Sequence, residues 1–200
     1  MNDSQSRLKT RADLRRNLRS KRRSLSENQQ RLASQRLYHN LIHHHWFLRA
    51  RRIAFYFAND GEIDPLALLD AALRMHKQCY LPVLSRHDRH RVSFSRFESG
   101  DSLQMNQWGI PEPTGSGKTF VSALSLDLVF VPLVGFDSGL ARLGMGKGYY
   151  DRTFAFKRRS GIRRPRLIGL AHDCQRVEKI PVEAHDVRLN AAVTDKDIYT

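Results

Sequence analysis

Leu14, Leu18 and Leu25 recur at helical spacing across a stretch, 7–25, that holds no glycine or proline, and this pattern predicts a first helix. Ser26 and Gln29 have the spacing of a capping box, in which side chains and backbone satisfy each other's free groups at a helix start. A second helix is therefore expected over 26–45, with Leu32, Leu37, Leu41 and Trp46 on its apolar side. At Arg52 the pattern becomes a continuous apolar run, IAFYFA, which ends at the polar turn Asn59-Asp60-Gly61 and reads as a buried strand. Asp64 as cap and Pro65 in the first turn open a third helix, whose inward residues are Leu66, Leu69, Ala72 and Leu73. CYLPV (79–83), DLVFVPLVGFD (127–137), RLIGLA (166–171) and a short piece at 191–194 read as further strands, with a helix over 149–158. Residues 85–107 are mixed, with one alternating piece at Val92, Phe94 and Phe97, and lead into the rigid segment WGIPEP (108–113). Strands alternating with helices imply one α/β domain over 1–200, a three-layer α/β/α arrangement around a mostly parallel sheet, with the basic helix of 1–25 packed on it.

Composition narrows the class. A chain of 200 residues can bury roughly 70% of its unfolded surface, so neither metal nor disulfide is needed to hold it together. Cys79 and Cys174 are far apart and form no CxxC pair, which points to a reducing, cytoplasmic setting. The Arg-rich start lacks the apolar core of a signal peptide, Asp3 and Asp13 interrupt any transit-peptide pattern, and no segment approaches a membrane span. No membrane association is expected. A net charge of +14 asks for an anionic partner. Arg7, Arg11, Arg15 and Arg19 stand at every fourth residue, where like charges repel unless solvent or an anion screens them.

The segment 142–151, RLGMGKGYYD, combines the parts of a phosphate site. Gly144, Gly146 and Gly148 alternate with Met145 and Lys147 between a strand and a helix, so that successive amides can point at one anion near a helix start. Arg142 and Lys147 add positive charge on either side, and Asp151 offers an oxygen to a phosphate-bound magnesium ion. A bare GxGxG is more often a flexible loop; the two cations, the acid and the strand-to-helix position favour the phosphate reading. A second run, TGSGKT (114–119), ends like a P-loop, but Glu112 stands where that motif needs its first glycine, so it reads as a surface turn.

With these residues in view, RLGMGKGYYD resembles the signature of the 5-formyltetrahydrofolate cyclo-ligase family. Arg11 and Arg15, Glu62-Ile63, Trp108 with IPEP, and His185-Asp186 follow in the family's order, so the similarity spans nearly the whole chain. The resemblance implies ATP- and Mg2+-dependent closure of 5-formyltetrahydrofolate to 5,10-methenyltetrahydrofolate with release of ADP and phosphate. It places ATP on Arg11, Arg15, Arg142, Leu143, Gly144, Met145, Gly146, Lys147, Gly148, Tyr149 and Tyr150, and magnesium on Asp151 and Asp186. Folate would meet Phe57, Glu62, Trp108 and the run from Met145 to Tyr149, with Lys147, Arg142 and Tyr149 as the catalytic set. The family commonly has lysine where Arg11 stands, an exchange of a point charge for a fork. A monomer that takes a small-molecule folate, with or without a polyglutamate tail, and no nucleic acid is expected.

Other features have plainer readings. His43, His44 and His45 are consecutive on a helix and point apart, which suits a solvated helix end better than a metal site. Lys157, Arg158, Arg159, Arg163 and Arg164 read as a solvated loop, with a polyglutamate contact as the alternative. Trp108 either stacks on a ring or anchors the proline turn. Glu62, beside a strand end, is placed to pair a pterin's N–H donors. Two rival functions differ in kind. A basic nucleic-acid module would use the arginines but leaves the glycine run without a role, and a different ATP-dependent ligase or a kinase would share the phosphate site.

Overall fold

A computed structural model of the chain describes residues 10–84, 88, 90–114, 119–159 and 161–200. Helix α1 (Arg11–Arg23) starts at Thr10, whose hydroxyl oxygen accepts from the Asp13 amide at 3.1 Å. It is shorter than the sequence pattern suggests: Leu25 lies past its end, and residues 7–9 fall outside the described residues. Helix α2 (Glu27–Ile42) begins with the expected capping box of Ser26 and Gln29. Its buried face is Ala33, Leu37 and Leu41, in steps of four, so Leu32 falls one position off that face and is exposed. The helix ends at Ile42 and the chain restarts as α3 (His45–Arg49), capped by His44, so the single helix expected to residue 45 is two.

The sheet elements follow in order: β1 (Arg52–Ala54), α4 (Leu66–Arg74), β2 (Gln78–Leu84), β3 (Val92–Phe97), β4 (Leu103–Met105), β5 (Pro111–Pro113) and β6 (Phe120–Val121). After these come β7 (Leu128–Pro132), β8 (Gly135–Asp137), β9 (Arg142–Leu143), α5 (Tyr149–Thr153), β10 (Arg166–Leu170), β11 (Arg176–Val177), β12 (Ala191–Val193) and β13 (Ile198–Tyr199). The main sheet runs β13-β12-β10-β7-β1-β2-β3-β6, parallel from β12 to β2 and antiparallel at both edges. That is the mixed α/β fold with a mostly parallel sheet that the strand and helix pattern implies. Two details differ. Only Ile53 and Ala54 of IAFYFA pair in β1, although Phe55 and Tyr56 beyond them stay buried, and the run 127–137 is split between the main sheet and a small sheet, β11-β8-β9.

One face of the main sheet is covered by α2, α3 and α4 through Leu37, Leu41, Phe47, Leu68 and Leu69. The other packs against Phe136, Phe154, Val187 and Leu189. Helix α4 starts one residue after Pro65, with the Asp64 carboxylate accepting from the Leu66 amide at 2.9 Å, and Leu66 itself points to solvent. The expected helix over 149–158 is the five-residue α5 followed by a 3-10 turn, Ala155–Arg158. Helix α1 lies on the small sheet. Leu14 and Leu18 pack with Val134, Ala141, Leu143 and Ile180, and a side chain at Gly135 would meet Leu18 Cδ1 at 2.4 Å. Burying a leucine as fully as Leu18 contributes about 2 kcal/mol, so Leu18→Ala would loosen the helix that brings Arg11, Arg15 and Arg19 to the cleft described next. Among the described residues no helix is long and apolar enough to cross a membrane.

Candidate active site

The chain builds β2 on one side of β1 and later β7 on the other, so strand order reverses at β1. Open α/β sheets hold their ligands at such a point, outside the carboxyl ends of the strands. A cleft of about 670 Å³ lies there, with Tyr56 and Phe57 beyond β1, Pro82 to Leu84 ending β2, and Pro132 and Leu133 at the end of β7 on its floor. Its rim is made by α1, the glycine run, the 183–186 turn and the β4–β5 hairpin. Trp108 sits at the tip of that hairpin, with the Lys147 ammonium 5.2 Å from its ring centre across the cleft mouth.

The glycine run has the open form that its sequence predicts. Gly146 and Gly148 hold φ of +95° and +66°, conformations that L side chains rarely adopt. Among the described residues, the amides of Gly144, Met145, Gly146, Lys147 and Gly148 donate no hydrogen bond within the protein, and the loop borders the cleft. Its carbonyls are used instead. Gly144 accepts from Arg15 Nε at 2.9 Å, and Lys147 accepts from the Arg152 guanidinium. The loop is thus anchored through its acceptors while its donors remain free. Because α5 has only five residues, those loop amides and the cations carry the attraction for an anion, with little from a helix dipole.

Of the residues expected at the site, Arg11, Arg15, Phe57, Glu62, Trp108, Arg142, Gly144, Met145, Gly146, Lys147, Gly148, Tyr149, Tyr150, Asp151 and Asp186 all line this one cleft. Leu143 does not. Its side chain is fully buried under α1, and its carbonyl accepts from Val134 in the small sheet.

The charges are arranged in pairs. Arg11 forks onto Asp186 at 2.6 and 3.2 Å, and Arg142 donates to Asp151 at 2.7 Å while lying over the Tyr150 ring. Partial burial works against ionisation of Asp186, but the hydrogen bonds from Arg11 and the Glu183 amide and the nearby positive charge together outweigh it and hold the carboxyl below its usual range. Asp151 uses Oδ1 for Arg142 and for the Val187 amide, which leaves Oδ2 as a candidate metal ligand. Among the described residues, Glu183, His185 and Asp186 also have donor atoms within 4.8 Å of one another. A hard cation that keeps several waters and takes one or two carboxylates beside phosphate oxygens fits this donor set.

The far end of the cleft contains residues that sequence reasoning missed. Arg22 has no exposed surface and holds the turn before Glu62, donating to the Asp60 carboxylate at 2.7 Å and to the Asp60 carbonyl at 2.8 Å. Arg19 and Arg23 pair with the same carboxylate, and the three arginines bring Asp60 down to about 2 despite its partial burial. The arginine stripe of α1 is therefore screened largely by the protein itself, with Arg11 on Asp186, Arg15 on a carbonyl and Arg19 on Asp60. Burial pushes Glu62 up to about 7, against the pull of Arg22, whose Nη1 is 3.7 Å away. Burial, together with Glu62, also raises the Tyr150 phenol.

Other expected features fall away from the cleft. His43, His44 and His45 do not point apart along one helix as expected: they straddle the break between α2 and α3, where His44 caps α3 and its ring centre lies 4.4 Å from that of His45 and 4.1 Å from that of Trp46. Lys157 donates to the carbonyls of Ile162, Arg163 and Pro165, so it ties its own loop together instead of standing free in solvent. In TGSGKT, residues 115–118 lie outside the described residues.

Comparison with known proteins places the fold and the family. The sequence pattern of the 5-formyltetrahydrofolate cyclo-ligase family matches residues 7–195. The chain is 37% identical over 180 residues to 5-formyltetrahydrofolate cyclo-ligase of Haemophilus influenzae, covering 90% of this chain and 94% of that one. It is 34% identical to the Escherichia coli K12 enzyme of the same name, covering 91% of this chain and 98% of the relative. The solution structure of Aquifex aeolicus 5,10-methenyltetrahydrofolate synthetase superposes with a TM-score of 0.79 at 32% identity, over 94% of this chain and 91% of that one. A Mycoplasma pneumoniae 5,10-methenyltetrahydrofolate synthetase shares the fold, with a TM-score of 0.72 at 22% identity over 93% of this chain and 99% of that one. The chain belongs to the 5-formyltetrahydrofolate cyclo-ligase family.

Proposed function

We propose that this protein closes 5-formyltetrahydrofolate to 5,10-methenyltetrahydrofolate at the expense of ATP, with magnesium, in the cleft at the β1 switch point. The observation that carries the reading is the row of amides at 144–148, unpartnered among the described residues, bordering the cleft that also contains Phe57 and Glu62. Backbone donors, Arg15, Arg142 and Lys147 together suit a triphosphate, and the enclosed carboxylate beside an aromatic ring suits a pterin with its N–H donors. Asp151 and Asp186 would hold magnesium, which supplies charge neutralisation at the phosphates.

The chemistry gives these groups their roles. A formamide oxygen is a poor leaving group until it is phosphorylated. In this reading the formyl oxygen attacks the γ-phosphorus of ATP, the bond to the ADP oxygen breaks, and ADP leaves. N10 then adds to the activated carbon and gives up its proton, and expulsion of phosphate leaves the methenyl bridge between N5 and N10. Lys147 and Arg142 counter the charge of the transferring phosphoryl group, and Tyr149 closes the cleft at the junction of nucleotide and folate. No enzyme nucleophile is required. The protein acts as a cytoplasmic monomer on a folate with or without a polyglutamate tail. Purified chain given Mg-ATP and folinate is expected to produce the methenyl chromophore and one ADP per product. ATP left unconsumed in the presence of folinate overturns the assignment.

A further inference from the structure

A guanidinium without exposed surface is an unusual component of a helix, and the bonds of Arg22 all go to the floor of the cleft or to the turn that carries Glu62. Nε donates to the Asp60 carbonyl at 2.8 Å, Nη2 to the Asp60 carboxylate at 2.7 Å, and Nη1 to the Leu133 carbonyl at 3.2 Å, with Glu62 3.7 Å from Nη1. On the same turn, the Gly61 carbonyl lies 3.1 Å from Nε2 of buried His172, and the Asn59 amide donates to Glu62 at 3.2 Å. The turn needs such support. Asp60 and Gly61 hold successive positive φ of +54° and +76°, a conformation that costs a residue with a side chain. A buried ion pair is weak as a source of stability, whereas a forked guanidinium fixes the position of what it binds.

We propose that Arg22 is a positioning residue for the folate half of the cleft. It fixes the 59–62 turn, and with it the Glu62 carboxylate, from the same helix that lends Arg11 and Arg15 to the phosphate half. This rests on the reading that Glu62 meets the folate. The groups that act on Glu62 are Arg22 from α1, Asp60 and the Asn59 amide from its own turn, and the phenols of Tyr56 beyond β1 and Tyr150 in α5; Arg22 is the cation among them.

The test is steady-state kinetics of the full chain across neutral pH with each substrate varied in turn. Arg22→Met is expected to raise the KM for folinate roughly ten- to hundredfold, as for a lost hydrogen bond to a charged group, with the KM for ATP little changed. Its acid limb of kcat/KM for folinate moves up by about one pH unit or more, because Glu62 loses its cation. Arg22→Lys returns the limb towards the wild-type position, and Asp60→Asn moves it down by removing a neighbouring negative charge. A clamp that merely held the fold together would affect both substrates and leave the limb in place. Equal rises in the two KM values, or a limb unmoved in both Arg22→Met and Asp60→Asn, overturn the proposal. Where Arg22→Met does not fold by circular dichroism, Asp60→Asn decides alone, a lowered limb supporting the clamp and an unmoved limb refuting it. Failure of the wild-type chain to turn over folinate refutes the functional reading instead.

Discussion

Residues 144–148 and residues 59–62 line one cleft, yet they are built on opposite plans. In the glycine run the amides have no protein partner among the described residues, Met145, Gly146 and Lys147 are exposed, and the anchoring contacts run through carbonyls. In the turn, one carboxylate takes three arginines, two carbonyls are held by Arg22 and His172, and Glu62 is tied to the Asn59 amide. The difference matches what each end would recognise. A triphosphate is attracted by charge from any approach and needs donors left free for it, while a neutral heterocycle is selected by the exact placement of a few hydrogen bonds. On the proposed function, openness at one end and over-determination at the other would be two solutions to two recognition problems.

Four substitutions test this contrast, in order of expected effect. Asp151→Ala should lower turnover by on the order of 10²-fold or more in ADP release. It should also cost about 3–5 kcal/mol in denaturant unfolding, because Arg142, 5% exposed, loses its carboxylate; the defect is thus not confined to chemistry. At the other end, Glu62→Gln should stabilise the protein above neutral pH by up to roughly 3 kcal/mol. The sign follows from the raised value of about 7: the folded state retains a proton that the unfolded chain releases near its usual 4.5, so stability falls as pH rises between the two. Below that window wild type and variant should converge, and a gap that persists in acid contradicts the assignment of burial to Glu62. Lys147→Ala should weaken ATP use roughly ten- to hundredfold with unfolding unaffected, since the ammonium rests on Trp108 and makes no ion pair among the described residues. Gly146→Ala should raise the KM for ATP about tenfold through a backbone penalty of about 1–2 kcal/mol. The nearest atoms a new Cβ would meet there are 3.6 Å away on the Arg15 side chain, so crowding is not the cause.

How much could be read from the sequence also divides between the two ends. The glycine run declares itself because its chemistry is local: alternating glycines, two cations and an acid stand within ten consecutive positions. The clamp is silent because its partners are remote. Arg22 and Asp60 are 38 residues apart, and an arginine on a basic helix reads as solvent-facing until its burial is seen. The same reasoning explains the fold. Apolar patterning found the parallel strands and the Ser26–Gln29 spacing found the capping box of α2, but neither could show that DLVFVPLVGFD serves two sheets, since both halves are equally buried. It also overran α5, where the chain turns into a 3-10 segment with apolar residues still facing inward.

Amide resonances report the central claim most directly. Titrating the isotope-labelled chain with Mg-ATP and following its backbone amides should shift and protect Gly144, Gly146 and Gly148 at ligand concentrations that saturate the site, with smaller changes at Asp60 and Gly61. Saturable ATP binding that leaves those three glycine amides unmoved would contradict the account.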